Sequence, residues 1–170
     1  TWADRLREAL GGAARVGVES VCPLQVADEI PGERVRSDVV DEARMVKTDY
    51  EIGRIAHASR IISEGHEELL AGCRPDDMII GLFGSITRSM TGKMLRDMPH
   101  ANMLASSFAA VVQPPSISHD PHNFTDVFAR LERGGPHVSV INCRVNGYGA
   151  EIERSFFLNE LPEAAKKPFE

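Results

Sequence analysis

The dipeptide Asn146-Gly147, set between two strand-like runs, constrains the fold of this chain more than any other feature. A two-residue turn of type I′ needs positive φ at both positions, which asparagine and glycine tolerate best. The flanking runs, residues 138–145 and 148–157, are rich in β-branched and aromatic residues. We therefore expect a tight antiparallel hairpin in which Val145 pairs with Tyr148.

This pairing sorts the hairpin into an apolar and a polar face, because side chains alternate along a strand. On the polar face, Asn142 lies opposite Glu151, and Val140 lies opposite Glu153. Carboxylates at i and i+2 are on the order of 7 Å apart. Such a pair can bind a metal, hold a cationic substrate group or divide acid and base roles. It can also be an ordinary solvated strand face with Arg144 as its partner, and the residues alone leave these readings open.

Two long helices precede the hairpin. A capping box at Thr48 to Glu51 predicts a helix that runs to about Ala71, with Gly72 as its stop. A second helix is expected from Pro75 to just before Pro99. The remaining pattern predicts short strands and loops: a strand over 15–19, a strand or loop over 33–46, a strand over 106–112, a polar loop over 113–123 and a short helical turn over 126–133. The fold class is α+β.

Charge and cysteine content exclude several classes of function. The chain has 19 Lys and Arg against 25 Asp and Glu, a net charge of −6, so a nucleic-acid partner is not expected. No run of apolar residues approaches the roughly 20 that a membrane helix needs, so no membrane partner is expected either. The three cysteines form no CxxC pair, which favours reduced thiols in a cytoplasmic protein.

Histidines give weaker signals. His119 and His122 have HxxH spacing, but in a proline-containing loop, where this spacing is poor evidence for a metal site. His57 and His66 fall on the first long helix, where we interpret them as surface or boundary residues.

Four segments together resemble the pita-bread superfamily of aminopeptidase P, prolidase and creatinase. The segment from Arg44 to Ile52 resembles the family's entry into its first long helix, and Pro121-His122-Asn123 resembles the segment of its catalytic histidine. Arg133-Gly134 and the run from Gly147 to Phe156 complete the set. The resemblance covers roughly residues 35–160.

The resemblance implies a domain organisation. Residues 1–40 would be the C-terminal part of a small N-terminal domain plus a linker. Residues 41–170 would be the first half of a pita-bread domain, with long helices packed on an antiparallel sheet. The family's second half supplies a histidine and two glutamates, and the sequence stops before any of them. The chain is therefore expected to be an internal piece of a longer, homodimeric protein and to be inactive alone.

The resemblance also implies site residues. The family's metallopeptidases carry two aspartates on this hairpin as metal ligands, whereas this sequence has Glu151 at one position and Val140, or by geometry Asn142, at the other. The creatinase branch lacks those aspartates and carries a glutamate before an arginine, here Glu153. The resemblance thus implies a catalytic pair, His122 and Glu153, with Glu151 and Asn142 binding substrate and no metal.

The expected function is hydrolysis of a C–N bond in a small charged substrate, creatinase-like and independent of any cofactor. One alternative is an Xaa-Pro aminopeptidase or prolidase-like metallopeptidase with a degraded site for a divalent metal such as Mn or Zn. Another is a non-catalytic pita-bread module that binds a partner. The expected ligand is a small molecule or a short peptide.

Overall fold

The computed structural model describes residues 1–169, so residue 170, where the second predicted domain ends, lies outside the described residues. The chain divides into two compact units, Thr1–Thr48 and Asp49–Glu170. The assignment of residues 1–40 to the tail of an N-terminal domain stays a prediction.

The first unit is small and built around two parallel strands. Helix α1 (Trp2–Leu10) ends at Gly11 and leads into β1 (Arg15–Val18), which pairs with β2 (Glu33–Arg36). A short helix, α2 (Leu24–Ala27), connects the strands. Helix α3 (Val39–Met45) occupies part of the segment expected as a strand or loop, so that expectation is wrong there.

The second unit packs two long helices on a three-stranded antiparallel sheet. The helices are α4 (Asp49–Gly72) and α5 (Ile79–Asp97), which confirms both predicted helices in kind. The strands lie in the order β3 (Ser107–Gln113), β4 (Gly134–Val145) and β5 (Tyr148–Leu158). A short helix, α6 (Glu163–Phe169), follows.

The core lies between the helices and one face of the sheet. Glycine allows α4 and α5 to approach closely, since a Cβ at Gly65 would come within 3.0 Å of the Met90 sulfur. Helix α4 packs on β4 and β5, and helix α5 packs on β3. The odd-numbered residues Ile141, Cys143 and Val145 of β4 face this core, as the predicted apolar face requires. The buried cluster includes Ile61, Ile62, Leu69, Ile86, Met90, Met94, Ile141, Cys143, Val145 and Phe156.

Helix α5 begins later than expected, because residues predicted to form its first turn bind residues 130 and 131 instead. Asp76 has a φ of 72°, and its amide donates to the carbonyl of Leu131 at 2.9 Å. Met78 forms an isolated antiparallel bridge with Arg130. The turn predicted within 126–133 is present only at 126–129, where the amide of Ala129 donates to the carbonyl of Asp126 at 3.0 Å, and Arg130 beyond it is extended.

Candidate functional site

The hairpin has the predicted register from its turn to His137, the stretch that carries Glu151 and Glu153. Asn142 pairs with Glu151, Val140 with Glu153, and Val145 with Tyr148. Both carboxylates therefore lie on the sheet face opposite the helices. No bulge interrupts the pairing between the turn and His137, and the one irregularity lies between Gly134 and His137.

The turn is fixed at its tip by the segment that precedes β3. Asn146 and Gly147 have φ values of 52° and 89°, as a type I′ turn requires. The amide of Asn102 donates to Asn146 Oδ1 at 2.8 Å, and the Asn146 amide donates to Ser106 Oγ at 3.1 Å. These bonds hold the tip, and with it the register that sets which face the carboxylates occupy.

His122 lies on the long loop between β3 and β4, and it reaches the polar face of the sheet. Its Nε2 lies 3.0 Å from Glu153 Oε1. The His122 side chain is 71% exposed and that of Glu153 is 34% exposed, so the pair borders solvent. A carboxylate at this distance accepts a hydrogen bond from the imidazole and fixes the orientation of the ring.

The position of the His122 loop depends on a buried glutamine that the sequence analysis did not single out. Gln113, at the end of β3, is 1% exposed. Its Nε2 donates to the carbonyl of Pro121 at 2.8 Å and to that of Asn123 at 2.9 Å. Thr125 donates its hydroxyl to Gln113 Oε1. One amide group therefore binds the backbone on both sides of His122.

Three potential metal ligands meet at this place. One ligand atom each from His122, Glu151 and Glu153 lies within 4.8 Å of the others. Oxygen and imidazole donors of this kind suit one divalent ion. The facing positions on β4, Val140 and Asn142, offer no carboxylate, so the hairpin does not fit a pair of ions bridged from both strands. His119, earlier in the loop, is exposed and stands outside this group.

Behind the sheet, a buried polar pair supports the strand that carries the glutamates. His66 of α4 is 5% exposed, so its interpretation as a surface or boundary residue is wrong. Its Nε2 lies 2.7 Å from the hydroxyl of Ser139, which also donates to the carbonyl of Arg154 at 3.3 Å. Burial, together with the charge of Arg154, lowers the pKa of His66 and favours its neutral form.

The side chains of Tyr148 and Arg154 bind a side chain of α4 and a backbone carbonyl of β5, respectively. The Tyr148 hydroxyl donates to Glu51 Oε1 at 3.3 Å, and burial raises the pKa of this phenol. Arg154 donates from Nη1 to the carbonyl of Glu153 at 2.7 Å. These contacts suit residues that support the strand.

No protein-family model and no curated protein matches the sequence. Solved structures do match in fold. An Xaa-Pro dipeptidase from Bacillus anthracis superposes with a TM-score of 0.77 at 21% identity, over 98% of this chain and 47% of that chain. A prolidase from Pyrococcus furiosus gives a TM-score of 0.75 at 18% identity, over 96% and 48% of the respective chains. An X-Pro aminopeptidase from Thermotoga maritima gives 0.68 at 19% identity, over 98% and 47%.

These matches confirm the predicted α+β pita-bread fold. The chain spans about half the length of each of these solved structures. Within the described residues, no helix combines the length and the apolar character needed to cross a membrane.

Proposed function

We propose that this chain forms one half of the catalytic domain of a peptidase-like hydrolase, which cleaves a C–N bond in a short peptide or a related small charged molecule. The observation that carries the proposal is the contact of His122 Nε2 with Glu153 Oε1 at 3.0 Å on an open sheet face. The fold adds support, because the solved structures named above are peptidases of dipeptides and X-Pro substrates.

In this proposal, His122 moves the proton. As a neutral imidazole it accepts a proton from the attacking water, and as an imidazolium it donates that proton to the leaving nitrogen. Glu153 accepts a hydrogen bond from the ring and holds it in place between the two steps. Because the His122 side chain is 71% exposed, solvent screens this contact, and it contributes about 0–1 kcal/mol.

Glu151 and Asn142 bind the substrate in this proposal. They face each other across the hairpin, next to the catalytic pair. The carboxylate of Glu151 suits a cationic group such as an amine, and the Asn142 amide both donates and accepts hydrogen bonds. Together they would orient the scissile bond toward His122.

The peptidase version of the proposal includes a divalent ion such as Mn or Zn, which Glu151 and Glu153 would hold as the carboxylate ligands from this chain. When bound, such an ion polarises the substrate carbonyl and lowers the pKa of water. The names of the solved structures favour this version over the creatinase-like one.

A second candidate is the creatinase-like, metal-independent hydrolase. A specific observation favours it: Val140 and Asn142 stand on β4 where a carboxylate ligand would have to face Glu153 and Glu151. A neutral amide or an apolar side chain does not offset the charge of a divalent ion.

The deciding experiment uses the full-length protein that contains this chain. Hydrolysis of Xaa-Pro dipeptides and of small guanidino and amide substrates is measured before and after exhaustive chelation. Activity lost on chelation and restored by Mn or Zn supports the peptidase version, whereas activity that survives supports the creatinase-like one. Saturable binding without turnover of any substrate would contradict the proposal and indicate a binding module.

We also propose that the full-length protein is a cytoplasmic homodimer, as the family resemblance implies. Light scattering after size exclusion tests the dimer directly, and a monomeric mass would contradict it.

A further inference from the structure

A polar pocket lies in the helical layer, between the first half of α4 and the C-terminal end of α5. We call it the α4–α5 pocket, and its lining consists of Gly53, Arg54, Ala56, His57, Arg60, Asp97 and Met98. None of these residues belongs to the hairpin or to the loop of His122, so this pocket is separate from the candidate site on the sheet.

Small residues leave this part of α4 open. A Cβ at Gly53 would meet no atom within 4 Å, and Ala56, three residues later on the same side of the helix, is exposed. Glycine inside a helix weakens it relative to alanine, and no close contact requires a glycine here. The missing side chain leaves room for a ligand beside the neighbouring Arg54 and His57.

Positive charge exceeds negative charge in this lining. Asp97 is the one carboxylate among the lining residues, and its Oδ2 lies 2.6 Å from Arg60 Nη2 and 2.9 Å from His57 Nε2. Within residues 1–169, Arg54 makes no ion pair, and its guanidinium lies 5.4 Å from the centroid of the Tyr50 ring. The two arginines therefore exceed the single carboxylate by one positive charge.

Two buried nitrogens in this lining have no hydrogen-bond partner among the described residues. They are Arg54 Nε and His57 Nδ1, and the His57 side chain is 9% exposed. Arg54 Nη1 donates to the sulfur of Met98 at 2.8 Å, which is a weak acceptor. An oxyanion that binds a guanidinium side-on accepts two parallel hydrogen bonds, so it would supply the acceptors that Arg54 lacks.

We propose that Arg54, His57 and Arg60 bind a phosphoryl dianion in the α4–α5 pocket, either free phosphate or a phosphate monoester. With His57 protonated, the excess charge of the lining is two, which matches a dianion and exceeds the charge of a single carboxylate. Arg54 donates through its planar fork, while Arg60 and His57 hold both the phosphoryl group and Asp97. This inference does not depend on the proposed hydrolase activity.

The test measures binding of inorganic phosphate and of phenyl phosphate to the full-length protein by calorimetry at constant ionic strength. We expect saturable binding to one site per chain. Arg54→Gln should weaken binding about tenfold, the scale of a charged hydrogen bond, whereas Arg54→Lys should retain part of the affinity. Gly53→Glu should abolish binding, because it places a carboxylate among the basic groups. Tighter binding of phenyl phosphate indicates a monoester, and tighter binding of inorganic phosphate indicates the free ion.

Arg88→Gln is the matched control, because Arg88 is exposed on α5 but does not line the pocket. It should leave the affinity unchanged, and so should His122→Ala, which separates this pocket from the candidate site. The inference is overturned if the wild type binds neither probe, if Arg54→Gln keeps the full affinity while Gly53→Glu remains folded and binds, or if His122→Ala abolishes binding. Circular dichroism of each variant verifies that it is folded.

Discussion

The side-chain amide of Gln113 binds the two carbonyls that flank His122, those of Pro121 and Asn123, at 2.8 and 2.9 Å. The loop that carries the candidate acid and base is therefore fixed from the buried end of β3. This contact explains how a residue that is 71% exposed can keep a defined position over the sheet.

Gln113→Leu should lower kcat of the full-length protein, although His122 and Glu153 themselves are unchanged. The substitution removes both donated bonds and leaves two carbonyls without this partner, which costs about 1–3 kcal/mol of unfolding free energy. Hydrogen exchange of residues 121–125 should accelerate in parallel with the loss of kcat. Thr125→Val is the matched control, because it removes the bond to Gln113 Oε1 and spares both carbonyl contacts. Normal kcat in Gln113→Leu would show that the loop does not depend on this amide.

His122→Ala should lower kcat of the full-length protein by about 10²–10⁴-fold, the usual contribution of a positioned acid or base. Its free energy of unfolding should change by less than about 0.5 kcal/mol, as is usual for an exposed side chain. His119→Ala, in the same exposed loop, should leave kcat unchanged. A His122 variant that unfolds readily but keeps normal turnover per folded molecule would make this residue structural.

Stability of the full-length protein should fall as the pH drops from 6.5 toward 5. Burial lowers the pKa of His66 and of His137 in the folded state. Below about pH 6.5 the unfolded chain therefore binds protons that the folded chain does not, which costs up to about 1.4 kcal/mol per histidine and pH unit. The free energy of unfolding, measured by urea titration at several pH values, should show this slope.

His66→Gln should reduce that slope, because glutamine does not titrate and can still donate to Ser139. The part due to His137 should persist, since that residue is fully buried and both ring nitrogens lack a hydrogen-bond partner among the described residues. An unchanged slope in His66→Gln would show that His66 is not the responsible group.

Gly147→Ala should destabilise the fold by about 1–2 kcal/mol, because this is the free-energy cost of a left-handed backbone conformation for an L-residue with a Cβ. Gly147 has a φ of 89°, and an added Cβ would meet no atom within 4 Å, so only the backbone term contributes. Gly84→Ala is the matched control: its Cβ would also meet nothing within 4 Å, but in helix α5 the change should stabilise by about 0.5–1 kcal/mol. Equal melting temperatures for both variants would contradict the strained turn.

The parts of the fold that could be predicted are those fixed by local chemistry. The Asn146-Gly147 turn sets the hairpin register, and alternation then places Glu151 and Glu153 on one face. Helix α4 was predictable because Thr48 and Gly72 mark its ends.

The parts that were missed depend on distant partners or on weak local signals. Helix α3 contains no buried residue and begins with two β-branched valines, so it has no apolar stripe to detect. The late start of α5 follows from pairing with residues 129–131, far away in sequence. Neither the burial of His66 nor the role of Gln113 could be predicted, since a single polar residue carries no periodicity.

The alternation along the hairpin also separates residues that can vary during evolution from residues that the packing of the core requires. Side chains at 142, 144 and 151 project from the face that the helices do not cover, and none belongs to the buried cluster. Their immediate neighbours Ile141, Cys143 and Val145 do belong to it. Ligands and substrate contacts can thus be exchanged at the first set with little effect on the packing of the second. Point substitutions on such a sheet face can therefore exchange metal-dependent for metal-free chemistry, or change the substrate, while the protein still folds.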